Sequence, residues 1–411
     1  MSVLKILYLI ENQQTETASY IREFHRNRDG TCEMKVIRDY KPFFYVDEEA
    51  PVDKLEGVVK TEPGYTSIDN TPLKKVLVQK SSQVRPLREK MEEMGFRHWE
   101  ADILFHNRYT ATLPEEIEGG PLKVCWLDIE TASNIEGDYS FPNMETANQT
   151  ICAITTKIGT TTISWLCGPK TVNGVRHFEK EEEMLEDFMS WFAKEAPDII
   201  SAWNLDFDLH YLIKRCGRLN IDYKRISKTR EVWSRNFKGR TYYKTSGTVQ
   251  LDLLEAYKLW RKYGNLPILA SYSLDYVAKT VINDKKVELD RPIGWLWHNR
   301  PDKLIEYNRH DVELLDKIDN VCKIIRFFDE LRRKCRVQFE DVYKTTALID
   351  GFLISRLKGK VILPTARHNP TDKFTGAYVF EPVPGLYKNV LCEDIASMYP
   401  VSYTHLTLPT N

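Results

Sequence analysis

The sequence predicts a multidomain protein that combines the α/β and α+β classes. Three observations carry that expectation. The chain has 411 residues, enough for two or three separately cored domains. From Leu122 onward, apolar strand-length runs alternate with helical segments, the pattern of an α/β sheet that presents polar groups at strand ends. Residues 303–334 keep apolar side chains at helical spacing without Pro or Gly, which predicts one or two long helices.

In chain order, Leu4–Ile10 and Met34–Val46 read as strands and Pro86–Met94 as a helix, a small α+β domain. An acidic, Gly-containing stretch, EEIEGGP, marks a linker near Pro114–Pro121. Beyond it lie the strands KVCWLDIE, Thr150–Ile158 and Thr161–Leu166, then a Glu- and aromatic-rich helix over Lys180–Lys194. The short strand Ile199–Trp203 leads to a helix starting near Asp208. After the long helical segment, Val342–Leu357 is a further helix and Lys360–Pro364 opens a loop-rich passage.

Composition excludes several classes. Lys plus Arg (58) nearly balances Asp plus Glu (59), so a polyanionic partner would have to meet local patches. The densest is Lys224–Lys244, KRISKTREVWSRNFKGRTYYK, where basic residues interleave with Trp233, Phe237, Tyr242 and Tyr243. Such a mixture holds phosphates while rings stack on unpaired bases, and a solvated β-hairpin with a basic face explains it equally. The eight cysteines are scattered, with no C-x-x-C pair or zinc-type cluster, and read as reduced and mostly buried. No apolar run of eighteen residues and no signal-peptide pattern occurs, so no membrane partner is expected and a cytoplasmic location is.

Three segments carry chemistry. Asp128-Ile129-Glu130 ends an apolar strand, where alternation puts both carboxylates on one face. Two carboxylates side by side repel unless a cation joins them, although a solvated strand end also explains the pair. Asn204-Leu205-Asp206-Phe207-Asp208 reads as a turn into a helix, with Asp208 aimed at the sheet end or serving as an N-cap. Tyr307-Asn308-Arg309-His310-Asp311 stacks Tyr307 over Asp311 on one helix face, as a plain surface helix would too.

Taken together, the order and spacing of these segments resemble the D-x-E, N-x-x-(x)-F/Y-D and Y-x-x-x-D motifs of the DEDD 3′→5′ exonucleases. The tyrosine variant of that class is the proofreading domain of family B DNA polymerases. The resemblance implies that Asp128, Glu130, Asp208 and Asp311 hold two Mg²⁺ or Mn²⁺ ions about 4 Å apart for phosphodiester hydrolysis at DNA 3′ ends. It further implies that Tyr307 orients the attacking water and that Asn204 and Phe207 shape the pocket for the terminal nucleotide. Hard oxygen ligands suit Mg²⁺ or Mn²⁺ and not zinc. His310 stands outside the position a catalytic histidine takes in the sister class and reads as structural. Asp252 is read as supporting the fold instead of a metal.

The same resemblance reaches the polymerase side. Phe374-Thr375-Gly376-Ala377 is similar to the family's Y-x-G-G/A motif, with Phe in place of Tyr, and implies template contacts by Phe374 and Gly376. Glu381–Tyr387 leads toward a strand over Asn389–Cys392. Asp394-Ile395-Ala396-Ser397-Met398-Tyr399-Pro400 resembles the first polymerase metal motif, with Asp394 as a ligand in an incomplete site and Tyr399 under the nucleotide sugar. The implied architecture is a mixed α+β N-terminal domain over 1–113, completed by about 335–380, beside a ribonuclease H-like exonuclease domain over 121–325. The first strand of a truncated palm follows at 381–400, and residues 401–411 are read as a non-native read-through tail.

The implied function is that of a family B DNA polymerase truncated after its first metal motif, retaining the exonuclease and lacking polymerisation. DNA is the expected partner, with dNTP binding only in the full-length enzyme and a processivity clamp as a further candidate. A stand-alone nuclease or a non-catalytic nucleic-acid-binding fragment are the alternatives. The first would not need residues 381–400, and the second would not need an intact carboxylate set.

Overall fold

Residue alternation organises the N-terminal third of the chain into two small sheets. The structure is a computed structural model that describes residues 5–27, 29–113, 121–133, 137–237, 239–366, 380–391 and 393. Strands β1 (Lys5–Gln14), β2 (Ser19–Asn27) and β3 (Cys32–Ile37) form an antiparallel meander. Strands β4 (Phe43–Asp47), β5 (Val58–Thr66), β6 (Pro72–Val78) and β7 (His98–Trp99) form a second sheet in the order β5-β6-β4-β7. The run expected over Met34–Val46 is therefore two strands in different sheets. Pro42 separates them, because proline offers no N–H to a ladder.

The second sheet has two unlike faces. Phe44, Val46, Val76 and Val78 bury against helix α1 (Val84–Glu93) through Leu87 and Met91. Phe43, Tyr45, Leu73 and Tyr65 occupy the opposite face with Trp99 and Ile362. The chain returns to this sheet late: Ser67 bridges Ile362 and Trp99 bridges Pro364. The short helix α2 (Phe105–Thr110) and the side chain of Gln338, bonded to the Ile10 amide (3.0 Å) and to Thr110 (3.2 Å), tie the first sheet to later residues.

The third sheet positions the site. Its strands are β8 (Val124–Ala132), β9 (Thr150–Ile158), β10 (Thr161–Cys167), β11 (Arg176–Phe178) and β12 (Ile199–Ala202). After a hairpin of β13 (Val232–Phe237) and β14 (Arg240–Thr245) comes β15 (Val249–Asp252). The spatial order is β11-β10-β9-β8-β12-β15, with β8, β12 and β15 mutually parallel and β9 antiparallel to both neighbours. Period-two alternation splits β8: Cys125, Leu127 and Ile129 join one core with helices α3 (Glu181–Glu195) and α4 (Leu205–Arg218). Trp126, Asp128, Glu130 and Ala132 take the other face. Trp165 anchors the α3 side, edge-on to Phe188 (5.2 Å) and Trp191 (5.0 Å), each such buried ring contributing about 1.5–3 kcal/mol by burial.

Helices α5 (Leu253–Tyr263), α6 (Leu274–Ile282), α7 (Ile293–Asn299) and α8 (Pro301–Cys322) follow, then α9 (Ile324–Cys335) and α10 (Thr345–Leu357). Pro301 opens α8 at a position where its missing N–H costs nothing. The long helical segment is two helices because Lys323 adopts a left-handed conformation (φ 55°) between them. Buried Asp198 joins the first sheet to the third, bonding Arg26 (2.8 Å), Lys228 (2.9 Å) and the Lys123 amide (2.9 Å).

Residues 1–366 form one unit and 367–411 another. In the second, the described residues 380–391 form no strand, and the Tyr387 hydroxyl donates to the Val383 carbonyl (2.9 Å). The strand expected over Asn389–Cys392 is thus not formed at 389–391, where no partner strand stands among the described residues. Four described cysteines are buried and three half-buried, all free. Among the described residues, no helix is long and apolar enough to cross a membrane.

Candidate active site

The C-terminal ends of β8 and β12 meet the first turn of α4 and the middle of α8, and four acidic side chains converge there. Carboxylate oxygens of Asp128, Glu130 and Asp311 all lie within 4.8 Å of one another. Asp208 joins them by accepting a hydrogen bond from the Ile129 backbone N–H. Its helix starts at Leu205, three residues earlier than expected, with Asn204 in the N-cap position. Asp208 is therefore no N-cap. It lies within the first turn, where an acid also gains from the helix dipole.

The electrostatics are those of crowded anions. Burial, then the Asp311 charge, lifts the Asp128 carboxyl from 3.8 to about 8. Burial, then Asp128 and Asp311, holds Glu130 well above the usual carboxylate range. Asp208 is raised by burial and by Asp128, and Asp311 is raised by burial against the pull of Lys286. Asp128 and Glu130 oxygens lie close enough that a proton or a cation between them relieves their repulsion. Such a cluster is stable near neutral pH when protons or cations occupy it.

Helix α8 supplies a holding network along with Asp311. Asn308, fully buried, donates to Asp128 Oδ2 (2.6 Å) and to the Asp128 carbonyl (3.3 Å). Tyr307 and Asp311 both meet Lys286, whose Nζ lies 2.5 Å from Asp311 Oδ2 and 2.7 Å from the Tyr307 hydroxyl. Burial works against the Lys286 charge, but Asp311 and Tyr307 outweigh it and hold the ammonium above the ordinary lysine value. Burial and Asp311 raise Tyr307, so its hydroxyl stays protonated. Sequence reasoning missed Lys286 and the Asn308 contact. Lys286 lies in the coil between α6 and α7, and only its unusual position beyond a helix aimed at α8 could have drawn attention to it.

The remaining expected residues divide. Phe207 is half-buried against Tyr211 (5.6 Å), and Asn204 is exposed, both on the α4 approach to the acidic cluster. His310 bonds the Lys285 carbonyl (2.8 Å) and lies 3.6 Å from Asp284 Oδ1. Asp252 ends β15 and caps two helices: it accepts from the Glu255 amide (3.0 Å) and from the Asp206 and Leu205 amides. Asp252→Ala should therefore cost about 1–2 kcal/mol in denaturant unfolding, with Mn²⁺ affinity at the acidic cluster unchanged. Phe374, Gly376, Asp394 and Tyr399 lie outside the described residues, as do the linker residues 114–120 and the tail 401–411.

The basic stretch at 224–244 is less free than its composition implies. It does form a hairpin, but Arg225 pairs with Glu186, Lys228 with Asp198, Arg230 with Asp222, Arg240 with Asp206 and Lys244 with Glu340. Its exposed Trp233 remains available for stacking.

The donor set fits hard divalent cations. All four ligand candidates are carboxylates, no Cys or His joins them, and Asp311 Oδ1 is buried without a hydrogen-bond partner among the described residues. A mixed α/β chain with several sheets and such a cluster belongs to the class of candidate metal-dependent enzymes. Residues 74–277 match the family model described as DNA polymerase family B, exonuclease domain, and the chain carries that domain of the family B DNA polymerases. It is 30% identical to the DNA-directed DNA polymerase of Escherichia phage RB69 over 231 residues, 54% of this chain and 25% of that polymerase. DNA polymerase II of Escherichia coli K12 is 24% identical over 363 residues, covering 77% of this chain and 43% of the relative. A Pyrococcus glycovorans DNA polymerase is 24% identical over 438 residues, with 96% and 53% covered. The chain thus spans about a quarter to a half of the length of these curated relatives.

Proposed function

We propose that this chain removes nucleotides from DNA 3′ ends by divalent-metal-dependent phosphodiester hydrolysis, as the proofreading part of a family B DNA polymerase. The convergence of Asp128, Glu130 and Asp311 oxygens within 4.8 Å, with Asp208 bonded to the strand between them, carries the reading. Asp128, Glu130, Asp208 and Asp311 would hold two Mg²⁺ or Mn²⁺ ions. When bound, such ions supply positive charge to the phosphate and acidify water for attack.

The protein's own residues supply the positioning. Asn308 fixes the Asp128 carboxylate, and the Ile129 amide fixes Asp208, so neither must reorganise when substrate arrives. Lys286 holds the Tyr307 hydroxyl and Asp311 in one arrangement, leaving the Tyr307 O–H free of its ionised form and able to orient a water. Phe207 and Asn204 would border the terminal nucleotide. Lys286→Met should lower the single-turnover cleavage rate about 10–100-fold, the usual cost of removing a partner of a ligating carboxylate. Lys286→Arg should recover part of that loss.

A ribonuclease H-like arrangement of residues 121–325 agrees with the mixed sheet and its strand-end acids. An N-terminal domain over 1–113, completed by about 335–380, is supported by the bridges of Ile362 and Pro364 to that region. Residues 381–400 would begin the palm, with Asp394 a metal ligand there. DNA is the proposed substrate, and dNTP binding and a processivity clamp are proposed for the whole polymerase, in a cytoplasmic setting. The test is incubation of 5′-labelled single-stranded DNA and RNA of one sequence with the chain and Mg²⁺. A ladder shortening from the DNA 3′ end, with release of deoxynucleoside monophosphates, supports the reading. Preference for RNA favours a stand-alone nuclease, and binding without hydrolysis at any Mg²⁺ or Mn²⁺ concentration favours a non-catalytic module.

A further inference from the structure

The second sheet carries an unusual face. Phe43 and Tyr45 on β4, Tyr65 on β5 and Lys75 on β6 project to the side away from the α1 core, as the β4–β6 register of Tyr45 opposite Lys75 requires. The end of α10 and residues 359–363 cross above them and enclose a cavity of about 420 Å³. That volume lies within the range of roughly 300–1,000 Å³ typical of small-molecule sites. None of the four clustered carboxylates lines it.

The chemistry inside is one-sided. Lys75, Arg108, Lys358 and Lys360 line the cavity, against the single carboxylate of Glu100, which Arg108 already engages at 2.6 Å. Lys75 Nζ and the Arg108 guanidinium lie over the Phe43 ring, each 4.2 Å from its centroid. Lys75 has a loose pairing with Glu62 (3.7 Å), a carboxylate that Lys60 holds more closely at 2.8 Å. Lys358 and Lys360 have no acidic partner among the described residues. Partial desolvation and then the Lys75 charge push Lys358 below the ordinary lysine value, so two like charges face one space. Rings form the rest of the wall: Tyr45 and Tyr65 meet edge-on at 5.2 Å. Tyr40 also lines the cavity, and its buried hydroxyl has no hydrogen-bond partner among the described residues.

We propose that this cavity is a second nucleotide site, in which Lys75 and Lys358 take a phosphate while the base lies against the Tyr65 ring beside Tyr45. Like charges that face one space repel one another until an anion joins them, and aromatic walls select an anion that carries a flat ring. A free nucleotide and one unit of a single DNA strand share this chemistry. The site goes beyond the proposed exonuclease and does not depend on it.

Calorimetric titration of the chain in EDTA, where metal-dependent hydrolysis is silent, tests the site with dTMP, thymidine, inorganic phosphate and (dT)₁₂. The expected result is saturable dTMP binding, with thymidine and phosphate each weaker by about tenfold or more. Lys358→Glu and Tyr65→Ala should each reduce dTMP affinity by a similar factor. Lys358 is exposed, so that variant should keep the melting temperature of the parent. Tighter, Lys358-dependent binding of (dT)₁₂ identifies a DNA strand as the source, whereas Lys358-dependent binding of dTMP alone identifies a free nucleotide. Absence of dTMP binding, dTMP binding indifferent to both variants, or phosphate binding as tight as dTMP overturns the proposal.

Discussion

Asp128→Ala and Asp208→Ala should each lower cleavage of single-stranded DNA by about 10³-fold or more, and neither should unfold the chain. The two halves of this result have one cause. Each acid is held above its usual pKa by burial and by its acidic neighbours, so in the absence of metal each strains the site it would serve. Truncation removes a repulsive group along with a ligand. What each leaves behind is small: the Asn308 amide keeps its weaker contact to the residue 128 carbonyl (3.3 Å), and the Ile129 N–H loses one acceptor. Melting in EDTA should therefore show little loss or a gain, while single-turnover kinetics in Mg²⁺ show the activity gone. Retained cleavage in both variants would remove these residues from the active site.

The second large effect is on stability against pH. The Asp128 carboxyl moves from 3.8 to about 8 on folding, and Glu130 and Asp208 are raised with it. Between those values the folded chain binds more protons than the unfolded chain, so metal-free stability falls as pH rises from about 4 to about 8. Divalent cations act in the opposite direction, since they bind the ionised cluster. At a hundredfold excess over Kd they contribute about 2.7 kcal/mol. Thermal melts should then show a larger increase on adding Mn²⁺ at pH 8 than at pH 5.5. Asp128→Asn should flatten the metal-free pH dependence. An equal Mn²⁺ shift at both pH values would contradict the cluster's titration.

The elements that sequence periodicity specifies strongly were legible, down to the ends of β9 at Thr150 and Ile158. Asp128 and Glu130 were paired by strand alternation alone, and Tyr307 and Asp311 by helical spacing. What periodicity does not encode is which distant side chain fills a gap. Lys286 reaches Asp311 across a fold-determined distance, and no local pattern marks it. The charge of the basic stretch around the hairpin is likewise balanced from afar, because its neutralising partners Glu186, Asp198 and Glu340 lie far away in sequence. The start of α4 at Leu205 was hidden for another reason. Asp252, from a different strand, accepts the amides of that turn and stands in for the cap that local sequence would have supplied.

Anomalous diffraction from crystals of the chain soaked in Mn²⁺ and dTMP tests the metal-centre assignment most directly. Two peaks ligated by Asp128, Glu130, Asp208 and Asp311, with the dTMP phosphate against them, are the expected result. Manganese bound elsewhere with these four carboxylates empty, or no dTMP phosphate against the bound ions, would contradict a metal-dependent 3′-end nuclease at this site.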